Sequence, residues 1–305
     1  MGVTTRLRFA GLCSLLAFYC AGAVLADEVK TLSRGYTLNG DLVLADGQQM
    51  GGRVLLMVHG TLGHKNMELI ETLQSVFQES GQSSLAINLS LNIGDRTGFY
   101  PCDVLHTHQF DDAVKEIDVW VDWLNQQGAE QIVLLGHSRG ANQVLKYLLG
   151  HERSAKMAIL LAPSVRKAVA DDGVLQIIDS GSMDDVLEGI DFLHCKDADV
   201  IASSYLSYYG PDAHNDSIPL LQQIAVPTLV FSGSEDQVVA ELGSRIDRVD
   251  NPLVTHIEIF GADHFFRDLN ADDVVDDAME FMERQEEPWL VAFVALFVGT
   301  PNLEF

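Results

Sequence analysis

Ser138 lies in the stretch Gly136-His137-Ser138-Arg139-Gly140, with Asp236 and His264 following it along the chain. These residue types can perform acyl transfer. A serine hydroxyl is a weak nucleophile at neutral pH and needs an imidazole within hydrogen-bond reach, itself oriented by a carboxylate. Ser138 is assigned as nucleophile, His264 as general base and then acid, and Asp236 as the orienting carboxylate. Glu235 is the second candidate for the last role, and Asp263, beside the histidine, is expected to point elsewhere. Each residue also has a bland reading: a solvent-facing serine in a glycine-rich turn, a helix-capping aspartate, a loop histidine. Their joint occurrence at the ends of apolar runs favours the chemical one.

Those runs are the elements that must position the trio. Ile132-Val133-Leu134-Leu135 is a buried-strand pattern. Ala141, Val144, Leu145, Leu148 and Leu149 then follow helical spacing as far as Gly150. A serine between glycines at such a strand-to-helix turn is pushed out above the sheet, over the helix N-terminus and its unpaired N–H groups. Asp236 follows the strand pattern Thr228-Leu229-Val230-Phe231, and His264 follows Val254 to Ile259. Further strands are expected at Val54–Val58, Leu85–Leu89 and Met157–Leu161. Helical faces are expected at Leu69–Phe77 and Ala113–Leu124, and a hairpin over Thr37–Leu44 with Asn39-Gly40 at its turn. Strands alternating with helices predict a mostly parallel sheet covered on both faces.

A developing oxyanion needs two backbone N–H donors. One is expected from Arg139, the other from the His59-Gly60-Thr61 loop, with Thr61 preferred and Leu62 as the alternative; Gly60 and Gly63 let the backbone approach closely. The Arg139 side chain is free to meet an acidic substrate group or, preferred here, an aspartate of the segment Ser164 to Pro219. That segment interrupts the alternation. Its apolar residues at helical spacing (Val174, Ile177, Ile178, Val186, Ile190, Leu193) predict a helical lid over about 164–219, or else a decoration packing only on itself. His106 and His108 beside Cys102 have no third ligand at usual spacing, so no metal site and no cofactor is expected. His59 is read as ordering its turn.

The chain has 305 residues and a formal charge of −25. Arg6 and Arg8, an apolar core and the ending Val24-Leu25-Ala26 predict a signal peptide over 1–26 and export to a periplasm or the medium. Its loss would take the charge from −25 to −27, since it holds those two arginines and no acids. So acidic a chain disfavours nucleic acid and anionic membrane surfaces as partners. Cys102 and Cys195 remain, either bridged or as separate buried thiols. One domain is expected over 27–288, followed by an apolar tail over 289–305 that is too short to span a membrane. Oligomeric state is left open.

Taken together, His59-Gly60, the Gly136–Gly140 turn, Gly233 with Asp236, and His264 resemble the α/β-hydrolase superfamily, over roughly Arg53 to Arg284. The resemblance implies an eight-stranded, mostly parallel sheet with a cap inserted after the sixth strand, and the chain order Ser, Asp, His. It also implies a hydrolase of esterase or lipase type. The expectation is therefore a secreted serine hydrolase acting on a small-molecule carboxylic ester through an acyl-enzyme. The alternatives are a thioesterase, an amidase or peptidase of the same fold, or a non-catalytic ligand-binding module.

Overall fold

The computed structural model describes residues 26–45, 50–165, 170–210 and 216–286. The expected signal peptide, but for its last residue, and the apolar tail lie outside them. In chain order the first half runs β1 (Asp27–Ser33), β2 (Tyr36–Val43), β3 (Arg53–Val58), α1 (Glu68–Glu79), β4 (Ser83–Ile87), α2 (Phe110–Gln127), β5 (Gln131–His137), α3 (Arg139–Gly150) and β6 (Met157–Leu161). The second half runs α4 (Asp172–Ser180), β7 (Val186–Phe192), β8 (Cys195–Ile201), α5 (Ala202–Tyr209), α6 (Ser217–Leu221), β9 (Thr228–Gly233), α7 (Leu242–Ile246), β10 (Val254–Ile259) and α8 (Asn270–Glu286).

Eight strands form one sheet in the order β1-β2-β4-β3-β5-β6-β9-β10. β1 and β2 pair antiparallel, β2 meets β4 antiparallel, and from β4 to β10 every pairing is parallel. The central strands β3, β5 and β6 are apolar along almost their whole length because helices cover both their faces. Right-handed crossovers decide which helix lies where. The β3–α1–β4 connection moves one way along the sheet, whereas β4–α2–β5 and β5–α3–β6 move the other way, so α1 lies on the face opposite α2 and α3. Accordingly α1 packs against α8, and α2 against α3. The loops leaving the adjacent strands β3 and β5 therefore diverge, and their carboxyl ends frame a crevice at a topological switch point.

Two expectations are corrected. Thr37–Leu44 is not a hairpin: β2 runs straight through Asn39 and Gly40, and the turn lies at Arg34-Gly35. Both turn residues have positive φ (51° and 87°), the requirement of a type I′ turn. Asn39 is instead a buried hub, donating to Asp95 Oδ1 and the Arg96 carbonyl, each at 3.0 Å. A Cβ at Gly40 would meet Leu85 Cδ1 at 3.0 Å, so packing against β4 is what wants glycine there.

The segment 164–219 is not wholly helical either. Val186, Ile190 and Leu193 belong to an antiparallel hairpin, β7–β8, with α4 before it and α5 and α6 after. Its chain entry and exit are stitched together by a bridge between Val165 and Asp216 and by Ser217 N–H donating to the Ser164 carbonyl at 2.8 Å. Arg245 grips both ends through the Val165 carbonyl and Asp216. The hairpin is also tied to the loop after β4: Cys102 and Cys195 are disulfide-bonded, and His106 exchanges backbone hydrogen bonds with Asp199 and Ile201.

Candidate active site

Ser138 stands between the last residue of β5 and the first of α3, with φ 52° and ψ −122°. A serine pays strain for this conformation, which persists only where its surroundings enforce it. Close packing does so here. A Cβ at Gly136 would lie 2.6 Å from Ala141 Cα, and one at Gly140 would lie 2.6 Å from the Val58 carbonyl oxygen. The first helical turn is thus pressed onto the end of β3. Gly233 plays the same part further along, where a Cβ would lie 2.9 Å from the Ala262 carbonyl carbon, so the loops after β9 and β10 converge.

That convergence brings the three assigned residues together. Ser138 Oγ lies 3.0 Å from His264 Nε2, and His264 Nδ1 lies 2.8 Å from Asp236 Oδ2. Those partners assign the tautomer: Nδ1–H donates to the carboxylate, leaving Nε2 to accept the serine O–H. Asp236 and His264 are buried and Ser138 is half-buried. Burial works against the Asp236 charge, but donors from His264 and from the amides of Val239 and Val238 outweigh it and hold the carboxyl below its ordinary value. Glu235 is exposed, and Asp263 turns away to pair with Arg267 at 2.6 Å.

The other expected donors also lie at the switch point. A Cβ at Gly60 would meet Ser138 Cβ at 3.3 Å, so the Gly60-Thr61 backbone runs directly beside the serine. Thr61 Oγ1 accepts from Arg139 Nε at 3.0 Å, tying the two candidate oxyanion donors to each other. The Arg139 guanidinium also covers the Tyr208 ring, 5.4 Å from its centroid. The ion pair expected between Arg139 and an aspartate of the 164–219 segment is not among the described ion pairs.

Several further residues hold this arrangement. Arg96 is buried and spreads its donors over the carbonyls of Leu89, Gly98 and Gly63; burial pushes its pKa down to about 10. Lys65 pairs with Asp41 of β2 in a buried ion pair, and its amide donates to Asn88 Oδ1 at 2.8 Å. His59 donates from Nδ1 to the Gly60 carbonyl at 2.8 Å and accepts the Leu89 N–H on Nε2 at 3.1 Å, which orders the turn as the sequence reading expected. His137 donates from Nε2 to the His264 carbonyl at 2.9 Å, supporting the backbone of His264. Burial brings both histidines down to about 3, so they are neutral at physiological pH.

His106 and His108 do not converge on a third ligand. His106 Nδ1 lies 3.2 Å from His108 Nε2, and His108 Nδ1 lies 2.9 Å from the Tyr208 hydroxyl, in a buried aromatic cluster with Phe192 beneath the hairpin. Among the described residues no group of three or more His, Cys, Asp or Glu side chains is placed to hold a metal ion. No helix among them is long and apolar enough to cross a membrane.

A family model described as the alpha/beta hydrolase fold matches residues 53–197, from β3 through the turn at Ser138 into the hairpin. The chain has the α/β-hydrolase fold. Solved structures with this fold align over most of its length. Est1E from Butyrivibrio proteoclasticus is 19% identical with a TM-score of 0.63, covering 85% of this chain and 98% of its own. The esterase Pf2001 of Pyrococcus furiosus is 16% identical with a TM-score of 0.61, covering 87% and 92%. Est1E has also been solved with ferulic acid bound; that structure is 18% identical with a TM-score of 0.65, covering 84% and 98%. No curated protein matches the chain. The superfamily resemblance therefore holds at the level of the α/β-hydrolase fold, with a mainly parallel eight-stranded sheet.

Proposed function

We propose that this protein is a serine hydrolase that cleaves carboxylic esters through an acyl-enzyme on Ser138. The observation that carries the reading is the unbroken hydrogen-bond path from Ser138 Oγ through His264 to Asp236, at 3.0 and 2.8 Å. Ser138 Oγ attacks the ester carbonyl carbon while its proton passes to His264 Nε2, and the carbonyl oxygen becomes an oxyanion held by the N–H groups of Thr61 and Arg139. The buried Asp236 carboxylate stabilises the imidazolium this creates. Collapse breaks the bond to the alcohol oxygen, which receives the proton from Nε2. Water, deprotonated by His264, then attacks the acyl-enzyme; the acid leaves and Ser138 regains its proton. The esterases among the fold neighbours support the same reading.

The test is a serine-directed fluorophosphonate together with matched oxygen-ester, thioester and amide substrates. Labelling should map to Ser138, and Ser138→Ala should abolish both labelling and turnover, lowering kcat by roughly 10³- to 10⁶-fold with the fold intact. Preferential turnover of the thioester or amide would move the activity to that class. Ligand binding with neither labelling nor turnover would make the protein a binding module. We further propose export to a periplasm or the medium, a reading that the Cys102–Cys195 pairing supports because oxidising compartments preserve disulfides.

A further inference from the structure

We propose that the cavity beside His264 receives the alcohol half of the ester, and that this half is a bulky, neutral aromatic group. The inference rests on the esterase reading above. The two ends of an ester are not equivalent at such a site. The leaving oxygen must lie against His264 Nε2, which returns the proton to it, and the acyl carbon must point away from the imidazole.

Between the loop that follows His264 and the start of α1 lies a cavity of about 330 Å³, within the range of small-molecule sites. Phe265, the residue after His264, forms its near wall and stands edge-on to the imidazole with ring centroids 5.3 Å apart. His64 and Phe99, themselves packed edge to face at 4.7 Å, add to the wall, and Thr72 of α1 contributes to it as well. Rings so arranged offer edges and faces to a further planar ring. Charge narrows the class. Arg267 is already paired with Asp263 and lies over Phe265, 4.9 Å from its centroid, while Glu68 and Asp268 add negative charge to the wall. A carboxylate on the alcohol would meet repulsion there.

The other side contrasts with this one. Between the oxyanion loop and the first turn of α3, where no residue of the His264 loop contributes, the described residues enclose about 10 Å³, the space of roughly one water. Leu193 from the β7–β8 turn and Tyr208 from α5 close it. Among the described residues the larger space therefore adjoins the loop that follows His264.

Naphthylmethyl acetate and methyl naphthylacetate are isomers that place the same ring system on opposite sides of the carbonyl. The acetate should show a kcat/KM at least tenfold higher; equal values or the reverse order would overturn the proposal. Thr72→Trp, which fills the cavity, should lower the ratio of kcat/KM for naphthylmethyl acetate over methyl acetate at least tenfold. A misfolded fraction would lower both values alike, and an unchanged ratio would remove this cavity from the site. A carboxylate on the naphthyl ring should lower kcat/KM at least tenfold, and an unchanged value would overturn the neutral class. Fluorophosphonate labelling of Ser138 without hydrolysis of the acetate would overturn this inference alone. Absence of both labelling and hydrolysis would overturn the esterase reading beneath it.

Discussion

Asp236 divides its two oxygens between tasks: Oδ2 faces His264, and Oδ1 accepts the amides of Val238 and Val239 at 2.7 and 3.0 Å. Asp236 caps no helix, since α7 begins only at Leu242; it closes a loop turn with one oxygen and leaves the other to His264. Asp236→Asn keeps that turn, because its amide oxygen can still accept, but it no longer stabilises the imidazolium and disturbs the tautomer. We expect kcat to fall by about 10⁴-fold with the circular dichroism spectrum unchanged; a loss below tenfold would remove Asp236 from the proton path. Acid stability is a second residue-scale property. His59 and His137 protonate near 6.5 when unfolded but only at about 3 when folded. The unfolded chain thus binds more protons between those values, and stability falls as pH drops from 6.5 towards 3, by about 1.4 kcal/mol per pH unit for each histidine. The Asp236 carboxylate adds stability that is fully present above 3.8 and is lost as pH falls through its lower folded value. Urea midpoints measured from pH 6.5 to pH 4 should decline steadily, and a flat profile would contradict the neutral, buried placement of the two rings.

At the scale of elements, the glycines around Ser138 decide whether the site forms. Gly136→Ala puts a methyl 2.6 Å from the Ala141 backbone, a contact that no rotamer relieves. We expect at least a hundredfold loss of esterase activity and a lower thermal midpoint; a fully active variant would show that the turn tolerates a shift. The strands that position this turn were legible because β3, β5 and β6 are buried on both sides and read as unbroken apolar runs. Ser138 was readable for a related reason, since it follows β5 directly, whereas Asp236 and His264 were read from the short loops that leave β9 and β10. Arg96, Lys65 and His137 were not. They act on partners distant in sequence, through the Gly63 carbonyl, Asp41 and the His264 carbonyl, and no spacing rule marks such contacts. The Asn39-Gly40 pair misled because both types suit turns, while here one serves a buried polar network and the other close strand packing. The β7–β8 hairpin escaped notice because its register shifts between Leu187 and Phe192 break the two-residue alternation and leave Val186, Ile190 and Leu193 at helix-like intervals.

On the whole molecule, composition and covalent structure bear on where the protein works. A formal charge of −25 sets a repulsive field against phosphate backbones, in keeping with a small neutral substrate. If the N-terminal segment is a cleaved signal, sequencing of the mature protein recovered from outside the cytoplasm should begin at Asp27. A cytoplasmic product retaining Arg6 and Arg8 would contradict export. The bond between Cys102 and Cys195 joins parts of the chain separated by 93 positions. It fastens the hairpin whose turn carries Leu193 over the narrow side of the crevice. Protein made in the thiol-rich interior of a bacterial host would leave this staple open, so a preparation intended for kinetics should be produced where thiols oxidise, and assays run with reductant would describe a looser molecule than the bridged one.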